Sequence, residues 1–304
     1  MSIYTNSQEI RKRLIYLVVL LDSKATNLFV KYPLFPFQDK VENCKGLCKI
    51  EKFFNFLLDR GVKNVVLYLV PEQKLKQERG YFSKIKKLTE KLGLSIKRIK
   101  QLGDFNLVVD LCLCQLLNHG HCGVISNGDI DEEETVKILV WQGLFLADAG
   151  ADILMPSSMC KELVPILQEE VRKRELNALI FSQQVKFYSS TYGAFRSVAL
   201  YPSFRINKES YQVNPLDSQY IYKYILEAKS WQIDGIVIKP SWAYADILKA
   251  AKERWQGKVI AFLTSGEHLI LEESFRGQNR KVSREVFLTY LLHSADMAVS
   301  YWII

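Results

Sequence analysis

Short apolar runs rich in β-branched residues alternate with amphipathic segments along most of this 304-residue chain. The run NVVLYLV at 64–70, for example, follows an amphipathic stretch at 47–60 that Gly61 ends. Apolar residues at helical spacing predict helices, and short apolar runs bounded by turn residues predict buried strands. The pattern predicts eight strands, at residues 27–35, 64–70, 105–113, 151–157, 177–182, 234–240, 258–264 and 297–302.

The continuous apolar character of these strands indicates parallel strands that helices cover on the outside. Eight is the number of β/α units that closes a barrel. We therefore predict an α/β fold, a (β/α)8 TIM barrel, over residues 27–304. A doubly wound open sheet is the alternative. It would usually carry a glycine-rich phosphate loop after its first strand, and PLFPFQDK at 33–40 contains no glycine.

An apolar run at residues 14–21 follows three basic residues at 11–13, an order that resembles a secretory signal peptide. The run is short, however, and DSK at 22–24 is a poor cleavage site. We instead predict an N-terminal arm over residues 1–26 and a cytoplasmic location. Because a complete barrel has no vacancy for this segment, we expect the arm to pack against a second copy of the chain, in a homo-oligomer.

Composition excludes several classes of protein. With 48% hydrophobic and 24% charged residues, the chain is neither disordered nor fibrous. No apolar run approaches the roughly 18–20 residues that span a bilayer, so we expect no membrane partner. The net charge is +8, but Lys84, Lys86, Lys87 and Lys91 alternate with apolar residues as on a solvated helix face. We therefore predict no nucleic-acid partner.

Two lysines follow predicted strands at the C-terminal face of the barrel, where such barrels carry their active sites. Lys239 ends the apolar run GIVIK, so burial should lower its pKa and make its amine a nucleophile toward carbonyl groups. Lys186 comes four residues after Ser182, in a predicted loop near Tyr192 and Arg196. The guanidinium could bind a carboxylate bidentately. A lysine that merely reaches solvent is the alternative for each.

Three cysteines cluster in DLCLCQLLNHGHCG, at the end of the third predicted strand. Cys112 and Cys114 should point the same way along a strand, and a returning loop can bring Cys122 to them. Three protein ligands with one open position are typical of a catalytic zinc site. His119 and His121 could bind the metal or orient its ligands. Buried structural thiols are the alternative.

Several segments together resemble the zinc-type porphobilinogen synthase (5-aminolevulinate dehydratase) family. The similarity is collinear and runs from about residue 27 to residue 302. It rests on the cysteine segment above and on KFYSSTYGAFR, IVIKPSWAYADIL, LTSGEH, AGADILMPSSM and SYQVNP.

This resemblance implies a lyase of haem and tetrapyrrole biosynthesis that condenses two 5-aminolevulinate molecules into porphobilinogen with loss of two waters. Lys239 and Lys186 would each hold one substrate molecule as a Schiff base. The substrate position at Lys239 is called the P side, and the one at Lys186 is called the A side. A catalytic Zn²⁺ would bind Cys112, Cys114 and Cys122.

The resemblance also implies roles for other residues. Arg196 and Lys208, with Gln212 nearby, would bind the A-side carboxylate, and Ser265 and Tyr301 would serve the P side. Tyr192 would line the site, and Asp110 would orient the loop that carries the three cysteines (the metal loop, residues 112–122) or transfer a proton. The family commonly forms octamers, so we expect a homo-oligomer of that size. An additional Mg²⁺ site is left open.

The chain departs from the family pattern in four places, one of which is the closing tyrosine pair, here Tyr301-Trp302. Ser158 and Cys160 lie where the family carries its acidic DMMDGR segment, Gln183 replaces a tyrosine, and Lys208 replaces an arginine. These departures leave two alternatives open. One is the same chemistry on another amino ketone or aldehyde, and the other is a non-catalytic paralogue.

Overall fold

The computed structural model of the protein describes residues 12–22, 47–71, 75–76, 82–198 and 208–302. Its main feature is a closed barrel of parallel strands. The barrel strands are β1 (Leu14–Asp22), β2 (Asn64–Pro71), β3 (Asn106–Leu111), β6 (Ile153–Pro156), β7 (Leu179–Lys186), β8 (Gly235–Lys239), β9 (Lys258–Phe262) and β10 (Met297–Ser300). A short antiparallel hairpin of β4 (Val124–Ser126) and β5 (Asp129–Asp131) follows the third barrel strand.

Helices connect the strands and cover the barrel. They are α1 (Leu47–Asp59), α2 (Phe82–Leu102), α3 (Glu132–Asp148), α4 (Leu163–Lys173), α5 (Gly193–Val198), α6 (Tyr220–Trp231), α7 (Ala245–Arg254), α8 (Ser265–Ser274) and α9 (Arg280–His293). Within the described ranges, every helix is too short or too polar to cross a lipid bilayer.

The barrel closes where β1 pairs with β2 on one side and with β10 on the other. Each remaining barrel strand pairs with the next one along the chain. This arrangement confirms the predicted (β/α)8 barrel, and seven strands lie where the apolar runs predict them. The pattern is reliable here because parallel strands buried on both faces are apolar throughout.

The first strand corrects the sequence analysis. Residues 14–22, which we assigned to an N-terminal arm, form β1 inside the barrel. The apolar run is therefore a buried parallel strand, and the basic residue before it has a structural role: Arg13 donates hydrogen bonds to the backbone oxygens of Asp296 (2.8 Å) and Leu292 (2.7 Å). The strand predicted at 27–35 and residues 1–11 and 23–26 of the predicted arm lie outside the described residues.

Side chains alternate between two apolar layers. On β2, Val66, Tyr68 and Val70 point into the barrel and join its inner core. Val65 and Leu67 point outward and pack with the covering helices. The inner layer fills the barrel, so the space for a ligand is at its mouth rather than along its axis.

Strand β7 breaks this alternation. Ser182 pairs with Ile236 of β8, whereas Val185 pairs with Ile238, so β7 holds one extra residue. Such a β-bulge turns the following side chains to the opposite face. Val185 consequently packs in the outer core, and the last residue of the strand, Lys186, pairs with Lys239.

Three aspartates close the N-terminal end of the barrel. Asp152, Asp234 and Asp296 each come just before or at the start of a barrel strand. Their carboxylates accept backbone N–H groups of the neighbouring strand, from Leu107 (2.7 Å), Ile180 (2.8 Å) and Val259 (2.9 Å) respectively. These bonds satisfy donors at the strand ends that the barrel ladder leaves unpaired.

Candidate active site

Two lysines meet at the C-terminal mouth of the barrel. Lys186 ends β7 and Lys239 ends β8, and they are direct partners in the ladder between these strands. Both side chains are buried and both line one small cavity. Lys186 therefore lies on a strand and not in the loop that the sequence predicts.

The ammonium of Lys239 lies in apolar surroundings. Its Nζ is 3.5 Å from the ring centroid of Phe262, and it makes no hydrogen bond within the described part of the chain. Burial, together with the positive charge of Lys186, lowers the pKa of Lys239 to about 7. A substantial fraction of this amine is therefore neutral at neutral pH, as a nucleophile requires.

Lys186 lies in the opposite electrostatic environment. Its Nζ donates to the backbone oxygen of Ser157 (2.9 Å) and lies 3.9 Å from Cys122 Sγ. Burial acts to lower the pKa of Lys186, but the neighbouring cysteines, Cys122 first, raise it above its ordinary value. Although Lys186 and Lys239 are paired in the ladder, their pKa values shift in opposite directions. Lys186 keeps its positive charge at neutral pH, and Lys239 is partly neutral.

The three predicted cysteines come together beside Lys186. Cys112 follows β3 directly, Cys114 lies in the short 3-10 turn after it, and Cys122 lies in the returning loop. All three thiols are buried, their sulfur atoms lie within 4.8 Å of one another, and those of Cys112 and Cys114 are 3.1 Å apart. Among the described residues, no other group of three or more potential metal ligands is found.

This thiol cluster fits a metal ion. Zinc–sulfur bonds of about 2.3 Å in a tetrahedral centre place sulfur atoms about 3.8 Å apart, which lies within the observed spread. Hydrogen bonds from Cys112 and Cys114, aided by Lys186 and Lys208, hold the pKa of Cys122 well below its ordinary value. A stabilised thiolate is the form that binds metals.

The two candidate histidines surround the cluster without joining it. His121 Nδ1 lies 3.2 Å from Tyr211 Oη, and His119 Nδ1 accepts the backbone N–H of His121 at 3.1 Å. Burial and nearby positive groups lower the pKa of His119 to about 4, so its ring is neutral. Both histidines thus lie beside the cluster, and their role in orienting the metal loop stays a prediction.

Four residues predicted around the lysines also line the cavity, namely Tyr192, Arg196, Lys208 and Gln212. Tyr192 shares its phenol proton between the backbone oxygens of Phe187 (2.9 Å) and Lys239 (3.1 Å). Lys208 Nζ lies 3.4 Å from Cys122 Sγ. Gln212 Oε1 is buried and has no partner among the described residues, so an acceptor remains available there.

Ser265 and Tyr301 lie one layer behind the cavity. Ser265 Oγ accepts the N–H of Phe195 (2.8 Å), and Phe195 itself lines the cavity. Tyr301 is buried in the inner barrel core, with its ring 4.7 Å from that of His268. Neither side chain contributes directly to the cavity wall.

Asp110 is a buried carboxylate in the cavity wall. Gln115 Nε2 donates to one carboxylate oxygen at 2.6 Å, and Gln183 Nε2 donates to the other at 3.1 Å. Burial raises the pKa of Asp110, and the charge of Lys239 opposes that rise. Gln183, which replaces a family tyrosine, thus helps to fix this carboxylate in the wall of the cavity that both lysines line.

Two further residues shape the site and were not predicted. Glu267 accepts the backbone N–H groups of Ser241 (3.1 Å) and Trp242 (2.7 Å), in the loop after Lys239. Its pattern with Thr264, a T-x-x-E capping box, was a usable signal in the sequence. Tyr211 lies in the family-like segment SYQVNP, but no local pattern indicates that it contacts the metal loop, because its partners are distant in sequence.

A family model described as delta-aminolevulinic acid dehydratase matches residues 27–304. The chain belongs to this family. Two delta-aminolevulinic acid dehydratases are similar to it over 81% of its length. That of Helicobacter pylori is 32% identical, with 76% of its own length covered. That of Methanothermus sociabilis is 30% identical, with 77% covered.

A solved structure shares the fold. The delta-aminolevulinic acid dehydratase (porphobilinogen synthase) of Toxoplasma gondii, in complex with the reaction product porphobilinogen, superimposes with a TM-score of 0.83 at 23% identity. The match covers 96% of the present chain and 83% of the Toxoplasma chain. This similarity supports the barrel architecture of the family member described above.

Proposed function

We propose that this chain condenses two molecules of 5-aminolevulinate into porphobilinogen, with loss of two waters. The observation that carries the proposal is the pairing of two buried lysines, Lys186 and Lys239, at one cavity beside a three-thiol cluster. Two carbonyl substrates need two amines, and the pairing of β7 with β8 supplies them side by side. Membership in the family agrees with this chemistry.

Lys239 is the first nucleophile in this proposal. Its pKa of about 7 leaves the amine partly neutral, so it can attack the ketone of one substrate and release water as an imine forms. Lys186 carries its charge more firmly, because the thiolates beside it raise its pKa. We therefore assign Lys186 to the second substrate molecule.

We propose Zn²⁺ as the metal of the thiol cluster. Bound to Cys112, Cys114 and Cys122, zinc would supply Lewis-acid chemistry with its fourth position open to substrate. Soft thiolate ligands favour zinc over magnesium or calcium. A separate Mg²⁺ site stays open.

The substrate carboxylates need cationic or donor groups, and the cavity wall offers them. Arg196 and Lys208 supply positive charge on the A side, where the amide of Gln212 can also donate. Ser265 and Tyr301 would serve the P side after a rearrangement, because both now lie behind the wall.

Assembly and location also belong to the proposal. We propose a homo-oligomer, an octamer by family resemblance, working in the cytoplasm. Residues 14–22 form a barrel strand and so do not supply the apolar arm predicted to join the subunits. Exposed apolar side chains on α8 and α9 still support self-association, namely Leu269, Ile270, Val286 and Tyr290.

The test is an assay for porphobilinogen combined with reductive trapping. Purified protein should form porphobilinogen from 5-aminolevulinate, and borohydride should fix substrate on the peptide that contains Lys239. Trapping without porphobilinogen would favour another amino ketone or aldehyde as substrate. Neither trapping nor product at millimolar substrate would refute the synthase and favour the non-catalytic paralogue.

A further inference from the structure

The third cysteine of the metal cluster is held differently from the other two. Cys112 and Cys114 continue directly from β3 and are positioned by the end of that strand. Cys122 lies in the returning loop, where no sheet ladder fixes the backbone. Side chains from other parts of the molecule must therefore hold its thiol within reach of the others.

Two hydroxyl groups contact the backbone of Cys122, one on each side. Its N–H donates to Tyr211 Oη at 3.4 Å. Its carbonyl oxygen accepts a hydrogen bond from Ser158 Oγ at 2.9 Å. Tyr211 comes from the segment before α6, and Ser158 follows β6, so the two contacts arise from separate elements.

We propose that Tyr211 and Ser158 are positioning residues that together hold Cys122 in place for the metal. This inference rests on the proposed metal site and assigns two residues that the cysteine pattern does not include. We call the pair the Cys122 clamp. Neither side chain needs to touch the metal, because each acts through the backbone of Cys122.

The hydrogen-bond roles at Tyr211 are consistent. Its phenol oxygen accepts from Cys122 N–H, which leaves the phenol proton free to be donated to His121 Nδ1 at 3.2 Å. The tyrosine ring also packs against the three cysteines. Tyr211 therefore fixes the metal loop through two neighbouring residues.

Tyr211 also connects the metal loop to β7. Just after it, Val213 donates its N–H to the oxygen of Lys186 (3.1 Å) and accepts from the N–H of Tyr188 (2.9 Å). The same segment carries Lys208, whose Nζ lies near Cys122 Sγ, and Gln212. One short segment thus links the metal loop, the A-side lysine and the proposed carboxylate-binding groups.

Ser158 departs from the family pattern, and its hydroxyl makes a hydrogen bond that an ionised acidic side chain could not make. An ionised carboxylate at this position could only accept hydrogen bonds, whereas a serine hydroxyl can donate one to the carbonyl of Cys122. The hydroxyl oxygen also lies 3.4 Å from Cys160 Sγ. Ser158 is fully buried, so water does not replace the bond easily.

The experiment measures zinc affinity directly, by competition with a chromogenic chelator. Tyr211→Phe and Ser158→Ala should each weaken zinc binding about tenfold or more, the usual effect of losing a group that orients a metal ligand. Tyr220→Phe is the matched control, since its half-buried phenol donates to the oxygen of Gln184 (3.0 Å) and not to Cys122 or another cysteine of the cluster. It should leave zinc affinity unchanged.

Cobalt substitution supplies a second readout. If the clamp is lost, the thiolate-to-cobalt charge-transfer absorption per bound cobalt should fall, because Cys122 leaves the coordination sphere. Thermal unfolding of the metal-free variants identifies any that fail to fold, and Ser158→Ala acts independently of the segment that carries Tyr211. Wild-type protein that binds zinc while both folded variants bind it equally well would overturn the clamp alone. Wild-type protein that binds no zinc would overturn the metal site and the clamp together.

Discussion

The two ends of the barrel differ in whether key charged side chains have hydrogen-bond partners. At the N-terminal end, Asp152, Asp234 and Asp296 accept backbone hydrogen bonds, and Asp296 also pairs with Lys252. At the C-terminal end, Lys239 is buried against an aromatic ring without a hydrogen bond among the described residues. Paired carboxylates stabilise the strand ends, whereas a buried amine without a hydrogen-bond partner is more easily neutral and can react. One end therefore stabilises the fold and the other end performs chemistry.

The largest expected difference between the ends concerns their lysines. Lys239→Met should lower porphobilinogen formation by roughly 10⁴-fold or more, because it removes a covalent nucleophile. Lys252→Met, at the opposite end, should leave the rate per folded molecule unchanged. Steady-state assays on both variants test the comparison. Equal losses of activity would mean that the two ends are not functionally distinct.

Removal of the metal should lower catalytic activity at the C-terminal mouth without unfolding the barrel. A chelator should reduce turnover by roughly 10²-fold or more, on the scale of several kcal/mol that a Lewis acid supplies. The barrel should stay folded, because its two main apolar cores do not include the cysteine cluster. Circular dichroism and turnover measured on the same chelated sample check this expectation. Loss of secondary structure on chelation would instead make the metal a structural one.

A substitution at the N-terminal end should have the reverse effect. Asp296→Ala leaves the N–H of Val259 without its acceptor and should lower the free energy of unfolding by about 1–3 kcal/mol. The control, Asp104→Ala, breaks an exposed pair with Lys63 and should leave stability nearly unchanged, because exposed ion pairs contribute little. Urea unfolding gives both values. A fall in turnover of folded Asp296→Ala would contradict the separation of roles.

The smallest expected effect is a pH dependence. A folded-state pKa of about 7 means that Lys239 loses its proton as pH rises through 7, so trapping should increase about tenfold from pH 6 to pH 8 and then level off. An ordinary lysine, with a pKa near 10.4, would increase about tenfold per unit without levelling off. Initial trapping rates with cyanoborohydride distinguish the two profiles.

Much of the fold could be predicted from the sequence, because seven barrel strands appear as apolar runs between helices. The first strand could not, since LIYLVVLLD follows basic residues and looks like an export signal or an arm. Only the contacts of Arg13 with the distant residues Leu292 and Asp296 show that this charge belongs to the barrel. Such contacts leave no local pattern.

The sequence predicted some residues at the site and missed others. Cys112, Cys114 and Cys122 form the expected cluster, and Lys186 and Lys239 face one cavity. Their assigned roles stay predictions. Tyr211 lies in the family-like segment SYQVNP, but no local pattern indicates its contact with the metal loop, because Cys122 is 89 positions away in the sequence. Ser265 and Tyr301 match family motifs, but side-chain packing, which motifs do not encode, sets them behind the cavity wall.

The extra residue in β7 has a consequence for which changes in chain length this protein can tolerate. The parity of the strand, an odd or even number of residues before Lys186, decides whether that amine enters the cavity or the helical layer outside. Deleting a single residue between Ser182 and Val185 would leave every reacting group in the sequence and still turn one amine away from the other. In this strand, the number of residues matters as much as their identity.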